Sequence, residues 1–434
     1  MIDDSITTPL LEKPAHLIGS INDYSLEDIE WIANQFSIAN PISVTAFPGR
    51  GNINLHTYEV RGGENEYLLQ KVNSDVFTMP HRVMTSMSAS IHAQKAALRE
   101  GKGDSIWVPI ELVSTLQGHE FLDLTDEHGF SVWRMMIRIP DSISYKSLGE
   151  VPGREGQLKL AEEVGRGLAI YSDLTSAIDP NNIEGSLPGY RDTPLYYAQF
   201  HAVMDRCRNL AEAEDYLPTD PIVRHSTQQH FLVALSDEGY SARKFDPDLA
   251  PFLDIVEERE PFAMGLWAAV ADGRIRHTLI HGDTKIENFL FCPKTARVKA
   301  LVDLDTIMPF TWLADYGDLQ RSMVNVAGEK ERDLSKVVVD RDVYQAVAKG
   351  FLSSAQEVTD EEISMMVFAV QAITLELGLR FLTDYLRGDT YFQLGPNDPE
   401  DLNKVRAMVQ LTLYKRLIEF GPEAEQQLHD FRKR

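Results

Sequence analysis

The stretch LIHGDTKIENFLF (residues 279–291), followed from Leu301 by LVDLDT (residues 301–306), sets short polar segments between apolar runs. Its spacing is H-x-D-x-x-x-x-N, carried by His281, Asp283 and Asn288. An aspartate and an asparagine at the two ends of one loop can place a carboxylate beside an attacking hydroxyl and a ligand beside a divalent cation. Asp303, at the end of the next apolar run, supplies a second carboxylate from another segment, so that a cation is held from two sides. Phosphoryl transfer to an alcohol needs such a set. Loop Asp and Asn also bond to their own backbone. Yet the ordered run of HxDx4N, short hairpin and Asp-x-Asp is rarer than any one of its parts. The arrangement is that of the catalytic loop and metal-binding aspartate of protein kinases.

The chain upstream has the matching order. SLEDIEWIANQF reads as a helix with Ser25 as N-cap and Asp28 three residues on, an acidic capping box. Two β-rich runs flank Gly49-Arg50-Gly51-Asn52, and a turn at Gly62-Gly63-Glu64-Asn65 leads into EYLLQKV. VMTSMSASIHAQKAALREG is a helix ending at Gly101, a glycine C-cap. IWVPIELVST and SVWRMMIRIP are two further strands, joined through DEHG. Past DSISYKSL the pattern turns to long helical periodicity, interrupted by the short β-like runs NFLFC and VKALVDL. The expected fold is α+β, protein-kinase-like and two-lobed: a small antiparallel β lobe and a larger, mainly helical one. The expected boundaries are a loose tail over 1–20, a nucleotide-binding lobe over 21–141 and a catalytic, substrate-binding lobe over 142–434.

Bulk properties narrow the partners. With 66 acidic against 42 basic residues the net charge is −24, which repels nucleic acid and anionic lipid, so neither is expected as a partner. A bound metal can still reverse the field locally for an anionic ligand. Two cysteines without a CxxC suit a reducing compartment. The acidic start has no signal-peptide pattern, and no apolar run approaches a membrane span in length. A cytoplasmic, soluble monomer or homodimer is expected.

Several stretches resemble the aminoglycoside phosphotransferase and choline kinase superfamily, and within it most closely the N-acetylhexosamine 1-kinases: GRGNINLHTYEV, YLLQKVNSDVF, DTKIENFLF, VDLDTIMPFTWLADYGDLQRS and LELGLRFLTDYLRGDTYF. The resemblance runs from about residue 45 to 420 and leaves STQQHFLVALSDEGYSARKFDPD unmatched. It implies a kinase using ATP and Mg2+ on a small-molecule sugar. Asp283 would be the catalytic carboxylate, Asn288 and Asp303 the metal ligands, and His281 and Asp315 structural braces of the loop. Lys285 would meet the transferred phosphate or face solvent. Asp305 would reach metal or substrate, or hold structure. Arg380 and Tyr391 would contact the sugar, although Arg380 and Asp384, four apart, also suit a plain surface ion pair. Arg191 would line the acceptor side. On the nucleotide side, Gly49, Gly51 and Asn52 would cover the phosphates. Backbone groups from Met136 to Arg138 would hold adenine. Lys71 would supply the strand-borne cation, with Gln70, one residue away, facing the opposite side.

Overall fold

A computed structural model describes residues 11–12, 24–48, 54, 56–126, 129–395 and 397–432. The helix Leu26–Ala33 starts where the capping pattern places it: the Ser25 hydroxyl accepts from the Asp28 amide, and the Asp28 carboxylate accepts from the Ser25 amide at 2.8 Å. The apolar side of this helix covers one face of a sheet whose strands alternate in burial. Tyr58, Val60, Tyr67, Leu69, Leu122, Leu124, Trp133 and Met135 share that face. Leu68, Val132 and Met136 lie on the other, against the helix Pro80–Arg99 and the large lobe. A period of two thus assigns each side chain to one of two cores.

The sheet runs, in spatial order, Leu11–Glu12, Leu122–Asp126, Gly129–Ile137, Asn65–Lys71, Thr57–Gly62 and Ile42–Ala46, with Glu111–Leu112 paired to Gly129–Ile137. All pairings are antiparallel except that of Leu11–Glu12 with Leu124–Thr125. Two expectations change here. Residues 11–12, placed in the tail, add a parallel edge pair. The strand expected over IWVPIELVST shrinks to Glu111–Leu112, because Pro109 has no amide to give to a ladder. The hairpin partner of Gly129–Ile137 is instead Leu122–Asp126.

In the large lobe, the helix Met366–Arg387 is long and apolar enough to cross a membrane by length and composition, but 83% of its apolar window is buried inside the protein. It is a core helix, packed on Trp312–Val324 and Leu402–Arg432. The helices Arg154–Thr175 and Arg341–Leu352 touch backbone to backbone: a Cβ on Gly165 would strike the Val347 carbonyl, and one on Gly350 the Glu162 carbonyl. Two short hairpins frame the polar loop, Thr278–Ile280 with Met308–Phe310 and Phe289–Phe291 with Val298–Leu301.

Candidate active site

The loop that opens at His281 is held from three directions. Asp315, in the first turn of Trp312–Val324, accepts from the His281 amide (2.6 Å) and the Gly282 amide (2.8 Å), while its backbone carbonyl accepts from the Thr284 hydroxyl (2.6 Å). His281 is fully buried; Nε2 lies 2.9 Å from the Val302 carbonyl, and Nδ1 accepts from the Asp283 amide at 3.3 Å. That pair of partners assigns the neutral imidazole with its proton on Nε2. On the third side the Gly282 carbonyl accepts from the Tyr190 hydroxyl (2.9 Å) and from Arg191 Nη2 (3.0 Å). Gly282 itself has φ +86°, and a Cβ there would meet the Thr306 carbonyl, so only glycine fits. His281 and Asp315 thus both hydrogen-bond within the loop and its flanking segments.

The braced loop turns Asp283 to the cleft, its side chain about one third exposed, with Lys285 Nζ at 2.8 Å. Burial works against the lysine charge, but Asp283, then Asp303 and Glu287, outweigh it and push its pKa up to about 12. Asn288 donates to the Asp283 carbonyl at 2.8 Å, which leaves its own oxygen for another partner. Asp303 adopts the left-handed conformation, φ +67° and ψ +56°, uncommon for a residue with a side chain. Although Asp303 is exposed, the surrounding protein and then the carboxylates of Asp305 and Asp283 push its pKa up. Among the described residues no three His, Cys, Asp or Glu converge as a cage. A carboxylate and an amide oxygen, together with crowded negative charge, fit Mg2+, which takes one or two carboxylates and completes its shell with water and phosphate.

Asp305 answers differently from Asp303. It is 3% exposed, forms an ion pair with Arg134 at 2.5 Å, and accepts from Asn54 Nδ2 at 2.6 Å. Arg134, 2% exposed, also donates to Gln70 through Nε (3.2 Å) and Nη2 (2.9 Å). Gln70 stands opposite Arg134 in the sheet, on the face toward the large lobe. Lys71 is on the other face, where its ammonium meets the Tyr24 ring at 5.1 Å. The cation beside Asp305 is therefore Arg134, which the sequence reading missed. The alternation at Gln70 was visible, but the pairing that sets Arg134 across from it was not. The turn Gly49, Gly51 and Asn52 lies outside the described residues. In the strand before the interlobe connection, Met136 is 8% exposed and built into the sheet, and the Arg138 amide is taken by the Glu66 carbonyl (2.9 Å). The Arg138 guanidinium pairs with Glu66 and Glu59.

At the other end of the cleft, Arg380 does not pair with Asp384. Asp384 instead binds Arg387 (2.8 Å) and accepts from the amides of Tyr391 (2.9 Å) and Phe392 (2.8 Å). Arg380 donates to the Tyr391 hydroxyl at 3.2 Å and lies over the rings of Tyr196 (4.7 Å), Tyr190 (5.2 Å), Phe392 (5.4 Å) and Tyr391 (5.5 Å). Among the described residues no carboxylate reaches it within ion-pair distance. Tyr190 touches both this collar and the Gly282 carbonyl, so the collar sits one ring away from the loop. Arg191, expected in the acceptor lining, is 3% exposed behind the loop, bound to Asp318 (2.6 Å) and Glu376 (3.3 Å).

A family model described as "Phosphotransferase enzyme family" matches residues 44–336. Among solved structures, a microcompartment-associated aminopropanol kinase matches with a TM-score of 0.52 at 13% identity, covering 93% of this chain and all of that one. A choline/ethanolamine kinase family protein from Mesorhizobium loti matches with a TM-score of 0.47 at 16% identity, covering 94% and 97%. The likeness to the first extends the two-lobed kinase fold over nearly the whole chain, and the family match spans the loop, both cleft aspartates and the small-lobe sheet. The chain belongs to the phosphotransferase enzyme family and is a small-molecule phosphotransferase.

Proposed function

We propose that the protein transfers the γ-phosphoryl group of Mg·ATP to a free sugar, at the anomeric hydroxyl of an N-acetylhexosamine such as N-acetylglucosamine or N-acetylgalactosamine. The observation that carries the acceptor class is the Arg380 collar: a guanidinium over four aromatic rings, with no carboxylate within ion-pair distance among the described residues. Acids near this end are already engaged, Asp318 by Arg191 and Arg321, Glu376 by Arg191 and Thr193, Asp384 by Arg387. A cationic amino alcohol would meet a guanidinium that lacks an ion-pair partner. A neutral sugar finds donors for its hydroxyls and acetyl oxygen, and flat rings for its apolar face.

In the reaction, Asp283 orients the sugar hydroxyl and receives its proton as the oxygen bonds to the γ-phosphorus. The bridging oxygen leaves with ADP. Asn288 and Asp303 would hold Mg2+, which would offset the charge on the phosphates. Lys285, between Asp283 and Asp303, is placed to follow the phosphoryl group as charge moves toward the acceptor.

The test is ATP consumption with Mg2+ against N-acetylhexosamines, other free sugars, aminopropanol, choline and aminoglycosides. Arg380→Met runs beside the wild type. N-acetylhexosamine turnover, with KM raised tenfold or more in Arg380→Met, is expected. A preference for an amino alcohol, with its KM lowered by the same substitution, would overturn the sugar assignment and leave the kinase standing.

A further inference from the structure

Residues 221–244, which overlap the stretch STQQHFLVALSDEGYSARKFDPD, fold as Pro221–Thr227, the turn Gln228–Phe231 and Asp237–Lys244. They are fastened to the end of Met366–Arg387 that bears the collar. Arg387 Nη1 donates to the His230 carbonyl (2.8 Å), and the Ala234 amide to the Arg387 carbonyl (2.8 Å). Arg243 donates to the Tyr385 carbonyl and the Asp389 carboxylate, both at 2.6 Å. Phe231, fully buried, anchors the turn. His230 is thus set in place by its backbone, and its ring stands edge-on to Tyr391, 5.1 Å between centroids at 88°. Tyr391 is also the residue whose hydroxyl Arg380 holds. Among the described residues, neither ring nitrogen of His230 has a hydrogen-bond partner. On the same segment the Ser226 hydroxyl lies 3.4 Å from that of Thr78, across the cleft in the small lobe.

We propose that His230 is a specificity-determining residue of the acceptor site, hydrogen-bonding a hydroxyl or amide of the acceptor beside Tyr391 and Arg380. The inference rests on the acceptor-site reading above. Burial, then Arg387 and Arg380, hold the His230 pKa down at about 3, so the ring is neutral at physiological pH. A neutral imidazole offers one N–H donor and one acceptor nitrogen, which suits a sugar and adds no further charge to a site that already holds a guanidinium. An edge-on contact with Tyr391 fixes the ring plane and so the direction of both nitrogens.

The experiment uses whichever acceptor the panel turns over best, and measures kcat, the acceptor KM and the ATP KM for wild type, His230→Ala and His230→Gln. In His230→Ala the acceptor KM is expected to rise tenfold or more, with kcat within threefold and the ATP KM unchanged. Glutamine, which keeps a donor and an acceptor, restores part of the loss. Thermal melting of each variant separates lost contact from lost fold. An acceptor KM unchanged in both variants, or an ATP KM that rises alongside it, overturns the assignment. A cationic best acceptor would sink the sugar reading without deciding on His230, and a flat His230 response with sugar turnover would do the reverse.

Discussion

Asp283→Asn is expected to lower kcat by about 10²- to 10⁴-fold, the usual contribution of a positioned proton acceptor, while the KM for ATP changes little. The substitution keeps shape and volume, and the loop is held by the His281 and Gly282 amides on Asp315 and by the Gly282 carbonyl, none of which involves the Asp283 carboxylate. What disappears is the group proposed to take the hydroxyl proton, together with the largest of the charges that raise the Lys285 pKa. Steady-state kinetics with the best acceptor decide it. A variant that retains more than a tenth of wild-type kcat would assign the role of Asp283 to another residue.

The second large effect concerns stability. Arg191→Met removes the cation from a buried set in which Asp318 and Glu376 are 5% and 1% exposed. Burial raises the cost of ionising Asp318, yet Arg191 and Arg321 hold its pKa below the ordinary carboxylate value. Breaking such a pair from one side costs about 3–5 kcal/mol, because a charge is left buried. Arg321 remains for Asp318 and Thr193 for Glu376, so the lower end of that range is expected. Urea denaturation measures the loss. Activity falls as well, since the Gly282 carbonyl loses one of its two donors. Unfolding within about 1 kcal/mol of wild type would mean that Arg321 and Thr193 suffice, and that the buried triad is dispensable.

What was legible in the sequence followed from local spacing. The Ser25 and Asp28 cap, the loop between His281 and Asn288, the left-handed turn at Gly63 and the order of lobes depend on residues close in the chain. The misreadings at the site turn on pairing across distance. Lys71 outweighs Gln70 on charge alone, and only the register Gln70↔Arg134 reveals which of them faces Arg134 and Asp305. Arg191 lies in a turn with positive φ, where an exposed role is the natural reading; its burial depends on Asp318 and Glu376, far along the chain. The i,i+4 spacing of Arg380 and Asp384 left a plain ion pair open as the alternative to sugar contact. The turn at Tyr391 and Phe392 takes Asp384 for its amides instead, and a helix wheel carries no trace of that.

The ion pair between Arg134 and Asp305, with Asn54 on the second carboxylate oxygen, bears on how the chain comes apart. The cation and the amide in this set belong to the first third of the sequence, and the acid to the last. One continuous apolar core also runs from Val72, Phe77 and Met136 to Leu168, Phe291 and Trp312. Neither lobe completes its own interior: a half-molecule would leave a guanidinium or a carboxylate stranded in apolar surroundings. The two lobes are therefore one cooperative unit despite the cleft between them. Calorimetry should record a single transition whose calorimetric and van't Hoff enthalpies agree.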